Sequence, residues 1–379
     1  MEAMQQAGIG AAGEGQATVR RLGVLTTGGD CAGLNAAIRA VVRRAIGHYG
    51  LEVLGIPQGT LGLMDDPPRA VPLTLSTADA GLLRAGGTIL GSVNRGNPFS
   101  YPKDDGGVED LSWQIYRGVA ALGLDAIIGI GGDGSMRIMN RLMQGGPFPF
   151  VGIPKTIDND LGATEYAIGH HTAVEVAMEA LDRLQPTAAS HGRIMVLEVM
   201  GRDAGHIALA CGIAGGADVI LLPEIPWRMA PVAAAIKALR ERGRNFALVV
   251  VAEAVRSAEG ETVLAGPSAP GAMPRLGGVG ARIAHALEEA TGAEARVTVL
   301  GHVQRGGSPG ALDRIVASSM GVHAVDLAMG GKFGRIVVWR EGRVGDAPVE
   351  EAAGEARPVD PLGDMVRVAR GLGICLGDQ

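Results

Sequence analysis

The stretch IGIGGDGS, Ile128 to Ser135, runs from apolar residues into a glycine turn that holds one carboxylate, Asp133. A strand, a tight turn and a helix start direct free backbone N–H groups and a positive dipole end at whatever binds there, which favours phosphate. The same residues match the dinucleotide fingerprint G-x-G-x-x-G from Gly129 to Gly134. Alone that match is weak, because it expects a single acid about 20 positions on to hold ribose hydroxyls. The next apolar run ends instead in PKTIDND, Pro154 to Asp160, a cluster of charge. An aspartate in a phosphate-facing turn makes chemical sense with Mg2+ between carboxylate and phosphate oxygens, since hard cations take both. Without Asp133 the glycines would read as a tight turn only.

PKTIDND places Asp158 and Asp160 two residues apart, after Lys155 and Thr156. In an extended segment both carboxylates point the same way. One can take a proton from an attacking hydroxyl while the other orients metal or substrate. The structural alternative is an Asx-type turn, which D-N-D favours. Lys155 either neutralises phosphate charge or pairs with an aspartate at the surface. Arg193, Arg202, Arg296, Arg305, His191 and His302 all fall in or beside the ends of apolar runs. Arginine's fork suits phosphate oxygens, so four such arginines in an acidic protein read as anion sites facing a cleft. His170 and His171 read as helix-start residues without chemistry. The chain has no G-x-x-x-x-G-K-[ST] and no H-R-D or D-F-G set, which excludes P-loop enzymes and protein kinases.

The elements that must position these residues follow from the apolar pattern. RLGVLTTGGD is a short strand entering a glycine turn. AGLNAAIRAVVRRAIGHYG follows with Leu34, Ile38, Val41, Val42 and Ala45 on one helical face. LEVLGI, LDAIIGI, FVGIP, RIMVLEVM, DVILLP, FALVVVAE and RVTVLGH are further continuous apolar runs, with helical stretches between them. Strands without alternation, separated by helices, mean an α/β fold with a parallel sheet buried on both faces. Ligands of such sheets sit at the carboxyl ends of the strands. TTGGD, GGDGS, PKTIDND, EVMGRDAG, AEA and GHVQRGG all fall at such ends. Arg256 to Gly278 is rich in Gly, Pro and Ser and reads as a surface insertion. No repeat of fixed period is present.

With 379 residues the chain has room for one large or two ordinary α/β domains. It is 47% hydrophobic but only 3% aromatic, so the core must be built from Ala, Val, Ile, Leu and Met. A net charge of -6 without a basic block argues against nucleic acid as a partner. Cys31, Cys211 and Cys375 are far apart and read as reduced thiols rather than a disulfide framework or zinc site. Residues 1–20 lack a basic start and an apolar h-region, so a disordered tail is expected rather than a signal peptide. The longest apolar stretch, Ile207 to Ile220, is interrupted and falls short of the roughly 20 residues a membrane span needs. A cytoplasmic protein without a membrane partner is expected.

Together, LTTGGDCAGLNAAIRAVV, GGTILGS, IGGDGS, PKTIDND, SHGRIMVLEVMGRDAG, VAEA and VLGHVQRGGSPGALDRI resemble, in that order, the 6-phosphofructokinases. The resemblance runs from Arg21 to about Val344. GGDG turns also occur in NAD kinases and lipid kinases; PKTIDND, MGR and GHVQRGG in sequence are specific. The resemblance implies two doubly wound, mostly parallel sheet domains with the active site in the cleft between them. Residues 21–168 with 304–354 would hold the donor and Mg2+, and 169–303 with 355–379 fructose 6-phosphate. Asp158 would be the base for the sugar's 1-hydroxyl, beside Lys155 and Asp160. Asp133 would bind Mg2+. Gly28, Arg95, Gly132, Asp133, Gly134 and Ser135 would hold the donor. Thr156, Met200, Gly201, Arg202, Glu253, His302 and Arg305 would hold the sugar phosphate. Arg193 and Arg296 resemble family arginines that reach into a neighbouring subunit's site, which implies a homodimer or homotetramer.

Two positions bear on the donor. ATP users of the family commonly have glycine after the Mg2+ aspartate, as here in Gly134. Many pyrophosphate users have a second aspartate there, overlapping the α-phosphate of ATP. Pyrophosphate users also carry lysine before T-I-D, as here in Lys155, where the common ATP type has glycine. This glycine–lysine combination resembles the mixed-donor branch of the family. Steric and charge exclusion is hard to evade, so Gly134 weighs more and ATP is the expected donor, with pyrophosphate the alternative. Ile138 stands where a small residue often lies under adenine, and Asn94 stands where an arginine is usual, with Arg95 next to it. An NAD-dependent dehydrogenase built on G-x-G-x-x-G would leave PKTIDND, MGRDAG and GHVQRGG without roles. A non-catalytic sugar-phosphate sensor would need neither Asp133 nor Asp158. Arg39, Arg43 and Arg44 resemble family effector arginines and read equally as surface charges.

Overall fold

The apolar runs form strands in two main sheets, seen in a computed structural model that describes residues 19–93, 96–103, 105–257, 264–266, 275–352, 354 and 356–379. Almost all of the expected tail, Asn94, Arg95 and most of the expected insertion lie outside the described residues. The chain opens with β1 (Arg21–Thr26), β2 (Glu52–Ile56) and β3 (Val71–Leu73). β4 (Tyr101–Pro102) and β5 (Val108–Glu109) pair as a short hairpin, and β6 (Ala126–Gly131) and β7 (Phe150–Pro154) follow. Next come β8 (Ile194–Val199), β9 (Val219–Leu221), β10 (Ala247–Ala252), the ribbon of β11 (Leu264–Gly266) and β12 (Arg275–Leu276), and β13 (Ala295–Val299). β14 (Arg335–Arg340) and β15 (Arg343–Pro348) close the strand list.

The larger sheet runs β15-β14-β7-β6-β1-β2-β3 and the smaller β13-β8-β10-β9. Only the edge strands β3 and β15 are antiparallel to their neighbours, so both sheets are mostly parallel, as the unbroken apolar runs imply. The sequence reading did not include RIVVWR, yet β14 lies inside the large sheet against β7. After β15 the chain returns to the smaller sheet, where Cys375 pairs in parallel with Val219 of β9.

Helices cover both faces. In chain order they are α1 (Leu34–Tyr49), α2 (Leu61–Met64), α3 (Ala80–Arg84), α4 (Ser112–Leu122), α5 (Asp133–Gly145) and α6 (His170–His191). Then come α7 (His206–Ala214), α8 (Met229–Glu241), α9 (Val279–Thr291), α10 (Ala311–Met329), α11 (Val349–Ala352) and α12 (Asp364–Gly371). The face of α1 read from the sequence is the buried one, and it packs in one core with Val316 and Met320 of α10. A side chain at Gly321 would place its Cβ 2.7 Å from the Ala40 Cβ and 2.8 Å from the Ala37 carbonyl, so glycine is what lets α1 and α10 cross closely. α4 and α5 pack their Ile115, Val119, Met136 and Met139 on the other face. Phe148 and Phe150 join an otherwise aliphatic interior. No helix among the described residues is long and apolar enough to cross a membrane.

Candidate active site

The donor-side turns come from β1 and β6. β1 runs out at Thr26, and Gly28 takes a left-handed φ of 83° that an L side chain rarely adopts. A Cβ at Gly28 would sit 3.1 Å from the Lys155 Nζ and 3.3 Å from the Ser135 Oγ, so these three residues converge. β6 leads through Gly132 directly into α5, whose first residue is Asp133. Asp133 is ion-paired with Arg137 one turn on, and its other oxygen, Oδ1, is buried with no partner among the described residues. A Cβ at Gly134 would meet nothing within 4 Å. Beside these turns lies a cavity of about 340 Å³ lined by Gly28, Gly29, Asp30, Thr88, Gly91 and Ser92. Sequence reasoning gave no role to Thr88, Gly91 and Ser92, although their motif, GGTILGS, was visible.

β7 supplies the next loop. It leaves at Lys155 and returns at Ile168, and the two pair in a parallel bridge. Lys155 is only 3% exposed, and its ammonium donates to the Gly29 carbonyl at 2.6 Å. Burial holds its pKa below the ordinary lysine range, and the Arg305 charge pushes the same way. It is not a surface pair, and its ammonium pins the first glycine turn. Thr156 donates through Oγ1 to the Asp158 Oδ2 at 3.2 Å and accepts the Asp158 N–H at 3.1 Å. The second oxygen, Asp158 Oδ1, is buried and unpartnered among the described residues. Burial raises the Asp158 pKa, with Arg305 opposing.

The expected shared face of the two aspartates is absent. Asp158 and Asp160 do not share a face of an extended segment, because Asn159 between them takes a left-handed φ of 54°. Asparagine tolerates that conformation, and D-N-D forms a turn. Asn159 is buried, its amide donating to the Glu165 carbonyl at 3.0 Å and its carbonyl accepting from Ala167 N at 2.9 Å. Asp160 nevertheless lies close enough to its neighbours for its pKa to be pushed up to about 6, by burial first and then by Asp158. Beneath the loop, a ring N–H of His170 reaches the Ile157 carbonyl at 2.8 Å, and burial pushes its pKa down to about 3. His170 is therefore a neutral prop at the start of α6. Asp313, fully buried, accepts from Gly169 N, Thr172 N and Thr172 Oγ1 and anchors the same helix end.

The smaller sheet contributes from β8, β10 and β13. After β8, Met200 N donates to the buried Gln304 Oε1 at 2.7 Å. Arg202 N then donates to the Glu253 Oε1 at 3.0 Å, just past β10. Burial raises the Glu253 pKa against donation from Arg202 and Gly201. After β13, a 3-10 turn (Gly301–Arg305) holds an exposed His302, and Arg305 donates to the Asp30 carbonyl at 3.0 Å across the cleft. Arg305, Glu253 and Arg202 all act on Asp158 through space. The fold thus brings Gly28, Gly132, Asp133, Gly134, Ser135, Lys155, Thr156, Asp158, Asp160, Gly201, Arg202, Glu253 and Arg305 to one cleft, with Met200 and His302 on its loops. Sequence reasoning missed Gln304 and Asn159 as the residues that hold those loops.

Arg193 and Arg296 are not at the cleft end. They precede β8 and open β13, at the amino ends of strands whose length puts them roughly 20 Å from Met200. There Arg193 pairs with Glu294 at 2.6 Å, and Arg296 pairs with the same carboxylate. In HGRIMVLEVM the apolar run begins after Arg193, so the arginine marks a strand start. Arg95 lies outside the described residues.

Two parallel sheets with glycine turns at facing strand ends, one acid poised for a cation and another held beside arginines, define a phosphotransferase-type cleft. The family model for phosphofructokinase matches residues 21–328, and the chain belongs to that family. The ATP-dependent 6-phosphofructokinase 1 of Synechocystis is 55% identical over 361 residues, covering 95% of this chain and 99% of that protein. The protein of the same name from Nostoc is 54% identical over 359 residues, with 95% and 99% covered. The crystal structure of Pichia pastoris phosphofructokinase in the T-state superposes with a TM-score of 0.76 at 29% identity over 96% of this chain. This chain spans 37% of the Pichia chain.

Among the described residues no group of three or more His, Cys, Asp or Glu side chains is placed to hold a metal. A divalent cation fits a different arrangement, the buried free oxygen of Asp133 together with a donor's phosphates and water.

Proposed function

We propose that this chain is an ATP-dependent 6-phosphofructokinase, moving the γ-phosphoryl group of ATP to the 1-hydroxyl of fructose 6-phosphate. The bond between the γ-phosphorus and the β–γ bridging oxygen breaks, a new bond to the sugar oxygen forms, and the hydroxyl proton passes to Asp158. The observation that carries this reading is the Asp158 carboxyl, buried between the donor turns and Arg202, Glu253 and Arg305 with Oδ1 unpartnered. Thr156 holds its other oxygen, which leaves Oδ1 to accept the proton. Its raised pKa strengthens it as a base. Mg2+ on Asp133 would neutralise charge on the donor phosphates. Asp160 and Lys155 shape the loop and the turn beside the reacting centre. Gly132, Gly134 and Ser135 cradle the donor through backbone N–H groups and hydroxyl, and Gly28, whose own N–H is spent on the Val93 carbonyl, gives the turn its close approach. Met200, Gly201, Arg202, Glu253, His302 and Arg305 receive the sugar phosphate.

Two features support ATP over pyrophosphate. No described residue fills the space beside Gly134. Lys155 is engaged with Gly29 rather than projecting into that space, so it does not demand a smaller donor. Both relatives named above are ATP-dependent by name. We assign the donor to the large-sheet half and the sugar to the small-sheet half, in a cytoplasmic homodimer or homotetramer whose Arg193 and Arg296 serve a neighbour's sugar site. The experiment is fructose 1,6-bisphosphate formation with Mg2+, comparing ATP, ADP and pyrophosphate. Turnover with ATP alone supports the reading; turnover with pyrophosphate alone overturns the donor, and none with any donor overturns the activity.

A further inference from the structure

We propose that Arg357 is a positioning residue for the Asp158–Asp160 loop, mounted on a strap that ties the two halves together behind the cleft. The chain passes from β15 and α11 on the large sheet to α12 on the small one. On the way it touches both active-site loops within three residues. Toward the large sheet, Arg357 N donates to the Asp160 carbonyl at 2.6 Å. The Arg357 Nη2 donates to the carbonyls of Asn159 at 2.9 Å and Glu165 at 3.3 Å. Toward the small sheet, the Arg357 carbonyl accepts from the His206 Nε2 at 2.9 Å, which fixes that nitrogen as the protonated one. Val359 N donates to the Glu224 Oε1 at 2.8 Å, and the same oxygen takes Gly205 N at 2.9 Å. Gly205 ends the loop that carries Met200, Gly201 and Arg202.

The arrangement is costly for stability alone. Among the described residues the half-buried guanidinium is bonded to carbonyls rather than paired with a carboxylate, and its buried Nε has no partner. Burial accordingly lowers its pKa, with the charges of Glu165 and Asp160 opposing. A buried, unpartnered N–H on a partly desolvated cation is unfavourable unless the group serves its surroundings. What surrounds it is the turn at left-handed Asn159, the point that sets the directions of Asp158 and Asp160. Pro358 supports the strap, because the residue before a proline is held extended.

This inference rests on the phosphotransferase reading, and the test separates the two. Arg357→Ala and Arg357→Lys are made in the full-length enzyme. In the alanine variant kcat falls about 10- to 100-fold while the KM values for ATP and fructose 6-phosphate stay within about threefold, since a small misplacement of the base costs rate rather than binding. Lysine, keeping the cation and one donor, recovers kcat to within about fivefold of the parent. Amide exchange at Asp158 and Ala167 quickens at least about tenfold in the alanine variant, with β1 unchanged. Unaltered kcat, or a lysine variant as slow as alanine, overturns the positioning role. Unaltered exchange overturns the strap even if the parent enzyme makes no fructose 1,6-bisphosphate, an outcome that would itself sink only the activity.

Discussion

At the scale of single residues, the cleft separates tasks by surroundings rather than by residue type. Asp158 is buried beside arginines with one oxygen free, whereas Asp133 opens a helix with a cation one turn away. Asp158→Asn should therefore cut kcat by roughly 10³-fold, about 4 kcal/mol of barrier, while isothermal titration still shows sugar-phosphate binding. Near-normal turnover would remove Asp158 from the base role. Asp160 gives a pH test. Its pKa rises from 3.8 to about 6 on folding, so its ionisation opposes folding. That cost is complete above about pH 6 and gone below about pH 4. Urea unfolding of the metal-free protein should find Asp160→Asn more stable by about 1–3 kcal/mol at pH 7.5 and indistinguishable from the parent near pH 4. The space beside Gly134, which no described residue fills, makes a third test. Gly134→Asp should fold normally yet lose about 100-fold or more in kcat/KM for ATP, because the new charge meets the α-phosphate.

At the scale of elements, close packing sets what each helix tolerates. Gly321→Val forces the α1–α10 crossing apart and should destabilise the protein by about 1–3 kcal/mol in urea titrations, with KM values unchanged in the folded fraction. Much of this level was legible beforehand. Buried parallel strands announce themselves as unbroken apolar runs, and the helical spacing of Leu34, Ile38, Val41 and Ala45 marks the buried side of α1. β14 escaped because it leads into a hairpin at Glu341 and Gly342, whereas the reading followed runs ending in polar clusters. The turn at Asn159 was written in D-N-D, and strand alternation was the wrong rule to apply across it. Direction was the other gap: Arg193 and Arg305 both flank apolar runs, but only the second follows one. Arg357 had no signal at all, since a lone arginine before proline gains meaning only when the fold brings Asp160 and His206 to it.

At the scale of the whole molecule, the proposed assembly has an edge strand in its favour. β13 borders the small sheet with Val297 and Val299 exposed, Val303 exposed just beyond, and Arg296 on the same strand. An edge that no described strand pairs with invites a partner. If the arginines serve a neighbour, dilution until sedimentation shows only monomer should abolish turnover, and reconcentration should restore it; a fully active monomer would refute the shared site. The chain passes between the sheets after β7, after β13 and again after β15 to reach Cys375. Neither half is a continuous stretch of polypeptide, so no single cut yields two complete pieces. A protease nick at any one passage leaves two covalent tethers. Each sheet therefore takes a segment from beyond residue 334, and a shortened gene lacking the last passage would leave both without their third connection.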